Sequence, residues 1–193
     1  MATKTILRFI LTAIVCYALA LWGWSYLIQP CLGIVTAVAN EELHILGLDK
    51  TTKLGPSLDP AYEIAVYHRD AADMQDSLFD FKQEALRSHA PMLFALILAM
   101  PITPKRKIKA FVISILLLIL IDSVASIVVM TWSYTFLPDH HVFTPFKDSP
   151  FRNAIISFLY DFYNAIGVGV IPIIIWIVTS VRRQDIGRLL EAS

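Results

Sequence analysis

One acid, Asp122, stands near the middle of the mainly apolar run between residues 108 and 132. At helical spacing Ser126, at i+4, and Ser133, at i+11, share its face, with Ala125 beside them. A carboxyl above hydroxyls in an apolar helix can relay a proton or ion, or it can hold a second helix or a partner through hydrogen bonds. A structural acid of the latter kind would be held by Ser126 or by Tyr17. A second polar stripe, Asn153, Ser157, Tyr160 and Asn164 with Asp161 alongside, recurs at helical spacing near the carboxyl end. Of the two cysteines, Cys31 stands at the outer end of an apolar run, where a histidine could in principle activate it as a nucleophile. His140 and His141 are adjacent, so on a helix or strand they point apart, and only Asp139 adds a ligand at useful spacing. No Gly-rich phosphate loop, serine elbow or nucleic-acid footprint occurs. The expectation is therefore no catalytic, cofactor-binding or metal residue, and two polar stripes that dock a helix or a partner.

The elements that position these residues are membrane helices. Of the 193 residues, 56% are hydrophobic and only 17% are charged, which is too apolar for an ordinary soluble domain and too short for several domains. The 25 residues from 108 to 132 give ~37 Å of helix against a hydrocarbon core of ~30 Å. An acid at a helix centre opposes insertion by about 2.5–3.5 kcal/mol, but the 14 Phe, Val, Ile and Leu residues from Phe111 to Val129 each favour it by about 0.3–0.6 kcal/mol. Insertion wins. Two cysteines, Cys16 and Cys31, cannot build a disulfide framework or a zinc site.

Four spans are predicted, at about residues 8–28, 85–103, 108–134 and 152–181, forming an all-α membrane bundle in one domain, 1–193. The first carries Trp22, Trp24 and Tyr26 at its far end, a girdle suited to headgroup level. Ala18-Leu19-Ala20 matches a signal-peptide cleavage site, but the apolar run continues to Ile28, which predicts an uncleaved anchor. Residues 31–46 read as a helix continuing along the outer membrane surface. The second span has only 12 strictly apolar residues, 91–102, and needs Arg87 and His89 at the outer headgroups to reach across. Between them, about residues 40–84 form an extramembrane cap. Gly55-Pro56 and Asp59-Pro60 punctuate it, residues 62–67 have β character and residues 78–82 alternate, so two or three short strands are expected. Residues 41–84 hold ten acids and four bases.

Short basic segments fix the orientation. Lys4 and Arg8 precede the first span, Lys105, Arg106, Lys107 and Lys109 form the turn before the third, and Arg182, Arg183 and Arg188 follow the fourth. The positive-inside rule then puts both termini in the cytoplasm, the cap outside, and all five histidines (His44, His68, His89, His140 and His141) outside or at the outer interface.

Three segments in order, residues 24–30 (WSYLIQP), 91–101 (PMLFALILAMP) and 171–176 (IPIIIW), resemble the exosortase H-associated membrane proteins. The resemblance covers most of the chain, including the strand-like insert. It implies an accessory of a bacterial envelope sorting system, in which a transpeptidase-like membrane exosortase processes proteins bearing a carboxy-terminal signal. The basic turn and following span are also loosely similar to exosortases themselves. The exosortase Cys-Ser-Gly motif is missing, however: Cys31 is followed by Leu32 and Gly33, and Asp122 with Ser126 stand roughly where an Asn and an Arg belong. No catalytic residue is carried over.

The resulting expectation is a non-enzymatic, multi-pass inner-membrane accessory with the bilayer and an exosortase or another membrane protein as partners. It has no cofactor, no nucleic acid and no small-molecule substrate. The alternatives are a degenerate exosortase-like enzyme using Cys31 and a small transporter or channel subunit using Asp122.

Overall fold

The computed structural model describes residues 2–46, 52–68, 77–82, 84–136 and 149–181. In chain order the elements are α1 (Ala2–Leu46), β1 (Thr52–Pro56), β2 (Ile64–His68), β3 (Ser77–Phe81), α2 (Glu84–Ala99), α3 (Pro104–Phe136), α4 (Pro150–Phe162), a π turn (Tyr163–Gly167) and α5 (Val168–Ser180). The fold is thus mainly helical with a three-stranded insert. His140 and His141 fall outside the described residues.

Among the described residues two helices are long and apolar enough to cross a membrane, Ile6–Ile45 within α1 and Pro104–Ser133 within α3. Pro150–Gly167 and Gly169–Ser180 make a third if read as one broken span. The second expected span is shorter than its sequence reading. α2 has 16 residues and stops at Ala99 rather than near 103, giving ~24 Å of helix. Pro101 and Pro104 explain the stop, because each disfavours helical backbone in the residue before it. The count is two or three spans by length and composition, where the sequence predicted four.

α1 departs from expectation in the other direction. It runs unbroken for 45 residues through Pro30, joining the expected first span and the expected surface helix into one element. Pro30 cannot donate to the carbonyl of Tyr26, yet the helix continues. Every described side chain from Ile6 to Cys31 is exposed or half-buried, and the first buried ones are Leu32, Val35, Thr36, Ala39 and Leu43. That 3-4-4 spacing is the inward stripe of an amphipathic helix, whereas the earlier part is apolar on all sides, as a lipid-facing span is.

Two compact units share the long helices. One contains residues 1–27, 87–118 and 169–193, the other residues 28–86 and 119–168.

In the first unit aromatic side chains join two of the segments that carry the family resemblance, 24–30 and 91–101, and hold the third to the start of α1. Trp24 meets Phe94 edge to face at 6.0 Å, Phe94 stacks on Phe111 at 4.3 Å, and Trp176 stacks on Phe9 at 6.1 Å. The basic turn also closes helix ends. Lys107 Nζ donates to the Leu98 carbonyl at 2.6 Å and Arg106 Nη2 to the Ser180 carbonyl at 3.2 Å, so cations meet the last carbonyls of α2 and α5. His89, expected at the outer headgroups, is instead fully buried on α2.

In the second unit the stripe of α1 packs with Leu54, Ile64, Val66 and Phe81 of the sheet and Ile127, Val129 and Met130 of α3. The strands run β1-β2-β3, each pair antiparallel. β1 contains Gly55-Pro56, which reads as a turn in sequence but is tolerated here because β1 is an edge strand. Its outward edge is covered by a side chain: Asn40 of α1 donates Nδ2 to the Leu54 carbonyl and accepts the Leu54 N–H on Oδ1, both at 2.8 Å. The amide replaces the missing neighbouring strand, which blunts a sheet edge that would otherwise invite pairing.

The loop before β2 is tied to β3 through Asp80. Its carboxylate accepts from Ser57 at 2.8 Å and from Ser77 at 3.0 Å. Asp59 accepts the Ala61 N–H at 2.8 Å across Pro60, an Asx turn. Tyr67, 1% exposed, donates its hydroxyl to the Pro56 carbonyl at 2.9 Å. Burial pushes its phenol above the ordinary range, and the Asp80 carboxylate adds to the rise.

Candidate functional site

α3 turns its polar side inward. Ser114, Asp122, Ser123, Ser126, Thr131 and Ser133 are buried, while Val112, Leu116, Leu120 and Val124 are exposed. This is the amphipathicity of a membrane helix, in which the apolar face meets lipid and the small polar face meets protein. The expected stripe Asp122, Ser126 and Ser133 is therefore interior, at 3%, 0% and 4% exposure.

What reaches Asp122 was not visible in the sequence. Tyr163 donates its hydroxyl to Asp122 Oδ1 at 3.3 Å, while Ser126 Oγ donates to the backbone carbonyl of Asp122 at 2.7 Å. Tyr163 opens the π turn and is buried together with Gly167, whereas Asn164, Ala165 and Ile166 between them are exposed. Tyr163 lies at i+3 from Tyr160, on the side of the helix that meets α3, and the wider turn shifts the register of the residues after it. The expected stripe runs from Tyr160 to Asn164 at i+4 and passes over Tyr163 at i+3.

The second expected stripe is only partly assembled. Asn153, Ser157 and Tyr160 are half-buried, and Tyr160 stacks flat on Trp132 of α3 at 4.0 Å and 4°. Asp161 and Asn164 are exposed, and Asn164 donates to the Tyr160 carbonyl at 3.1 Å on its own helix. Asn153 Oδ1 is buried without a hydrogen-bond partner.

A second carboxyl reaches α3 at the next residue. Ser123, the residue after Asp122, donates to Glu42 Oε1 at 3.0 Å, and Glu42 Oε2 is buried without a partner. Sequence reading put Glu42 on the outer membrane surface with Glu41 and His44; the latter two are exposed, but Glu42 turns onto α3. An uninterrupted α1 accounts for this, since Ala39 and Leu43, flanking Glu42 in the same turn, are held in the core.

Both cysteines are free and half-buried. Cys16 lines an apolar groove of about 290 Å³ in the first unit, with Ala20, Gly23, Trp24, Phe94 and Phe111. Among the described residues no group of three or more His, Cys, Asp or Glu side chains is placed to hold a metal ion. The geometry of the α3 site offers one clear capability, the tying of helices through buried carboxyl and hydroxyl groups.

Two long apolar helices and an inward-facing polar stripe define a membrane protein, one that carries a small antiparallel sheet. The chain belongs to the exosortase H-associated membrane protein family, whose model matches residues 3–183. No curated protein and no solved structure matches it.

Proposed function

We propose that the chain is a non-enzymatic accessory of an exosortase sorting system. It sits in the bacterial inner membrane as four spans, with both termini cytoplasmic and the three-stranded cap outside. The family association supplies the partner class. The basic segments supply the orientation, four of the cations lying in the single turn at Lys105 to Lys109. α2 serves as the short fourth span, its buried His89 and Leu93 inside the bundle and the loop to Pro104 completing the crossing.

The observation that carries the non-enzymatic reading is the setting of Asp122. The group best suited to chemistry is enclosed and bonded by Tyr163, in a place that ties α3 to the π turn. Loss of the gene should impair processing of proteins bearing the carboxy-terminal sorting signal, and Cys31→Ala should restore processing as fully as the wild-type chain. Failure of Cys31→Ala, despite normal expression, would favour the enzyme.

One observation favours a second reading. Glu42 on Ser123 sets another carboxyl one residue from Asp122 along α3, the minimum for a proton or ion path through the chain. Under that reading Asp122→Asn and Glu42→Gln change flux in sealed reconstituted vesicles; under the accessory reading neither does.

A further inference from the structure

A pocket of about 260 Å³ opens between the start of α3 and the end of α5. Its lining combines two chemistries. Arg106 and Lys109, at i and i+3 on one face of α3, line it together with Thr179 and Ser180, and Ile102, Ala110, Ile113, Val178 and Val181 supply its apolar lining. No Asp or Glu is among its lining residues. The cations stand at the beginning of the apolar run that starts with Ile108, which is headgroup depth for a helix crossing a bilayer.

Two cations at headgroup depth, with apolar lining that continues one helical turn deeper to Ile113, match an amphiphile with an anionic head. We propose that this pocket binds a phospholipid of net negative charge, its phosphodiester on Arg106 and Lys109 and the first carbons of an acyl chain on Ile113 and Val178. A free phosphate would use the cations but leave the apolar wall without a role. Arg106 also holds the Ser180 carbonyl at the end of α5, so a lipid phosphate there bridges the ends of two helices through one guanidinium. Basic pockets between membrane helices are established sites for anionic headgroups, each cation contributing roughly a fivefold gain in binding.

The test uses the purified full-length chain in phosphatidylcholine vesicles containing a minor fraction of spin-labelled phosphatidylglycerol. Spin-labelled phosphatidylcholine serves as the reference. The motionally restricted fraction of each label gives the selectivity. The expected result is preference for phosphatidylglycerol, weakened about fivefold by Lys109→Gln, an exposed position whose loss leaves the α5 cap intact. Lys105→Gln, an exposed cation outside the pocket, should keep the wild-type selectivity, and millimolar inorganic phosphate should not displace the label. Equal selectivity in wild type and Lys109→Gln would overturn the proposal. So would an equal loss in Lys105→Gln, which marks a diffuse surface effect, or displacement by inorganic phosphate, which marks a site for the free anion.

Discussion

Tyr163 reaches 41 positions back along the chain to place its hydroxyl 3.3 Å from a carboxyl oxygen of Asp122. Both residues are at least nine-tenths buried, where a hydrogen bond between polar side chains counts for more than at the surface. The contact sits where the π turn begins, with Tyr163 buried and Asn164 exposed. A double-mutant cycle of Tyr163→Phe and Asp122→Ala, read by unfolding in detergent micelles, should therefore give a coupling of about 0.5–1.5 kcal/mol. Additive effects would mean that the two side chains do not stabilise each other.

Asn40 replaces a strand at the edge of the cap sheet through two 2.8 Å bonds to Leu54. Asn40→Ala leaves both Leu54 groups to water or to another chain. Stability should fall by about 1–3 kcal/mol, and the Leu54 amide should exchange its hydrogen markedly faster. Asn40→Asp keeps the acceptor for the Leu54 N–H and loses the donor, so its cost should be intermediate. Unchanged exchange at Leu54 in Asn40→Ala would show that the edge is protected by something else.

The cap should loosen in alkali. The Tyr67 phenol is raised in the folded state above its ordinary value of about 10, so between the two values the folded chain holds a proton that the unfolded chain has lost. Its contribution is complete below about pH 10 and disappears as pH rises through the folded value. Tyr67→Phe forfeits the bond to the Pro56 carbonyl, lowering stability at neutral pH, and it should also flatten the alkaline fall. An equally steep fall in the variant would assign the effect to another group.

Orientation and span number are checked together by reporter fusions. Alkaline phosphatase joined after Asp59 or after Lys147 should be active outside the cytoplasm, and a fluorescent reporter joined after Arg106 or after Arg183 should be active inside. If α2 does not cross, the fusions after Asp59 and Arg106 will report the same side.

The parts of this architecture legible in the sequence are those governed by composition over long windows. The apolar run around Asp122 announces a span, and the β-rich stretch before Tyr67 announces a strand, because each signal sums over many residues. The burial of Asp122, Ser126 and Ser133 followed from helical spacing alone. What stayed hidden depends on one-residue events or on tertiary choice. The inward residue after Tyr160 is Tyr163 at i+3 and not Asn164 at i+4, a choice that helical spacing leaves open. Residues 31–46 read as a helix along the membrane surface, but they continue α1 unbroken through Pro30, and Glu42 lies on Ser123. β1 was missed because Gly55-Pro56 is turn chemistry everywhere except at a sheet edge. The cations of the basic turn were read only as a topology signal, and their second task, closing the ends of α2 and α5, needs the fold to be seen.

The most direct measurement of the central claim is site-specific photo-crosslinking in native membranes. The probe belongs on the bare surface of α1, at Trp22, which is 70% exposed. The accessory reading predicts a crosslinked band containing this chain and the exosortase, lost when the exosortase gene is deleted. An exosortase present in the same membranes but never crosslinked or copurified, together with unchanged sorting in a strain lacking this chain, would contradict it.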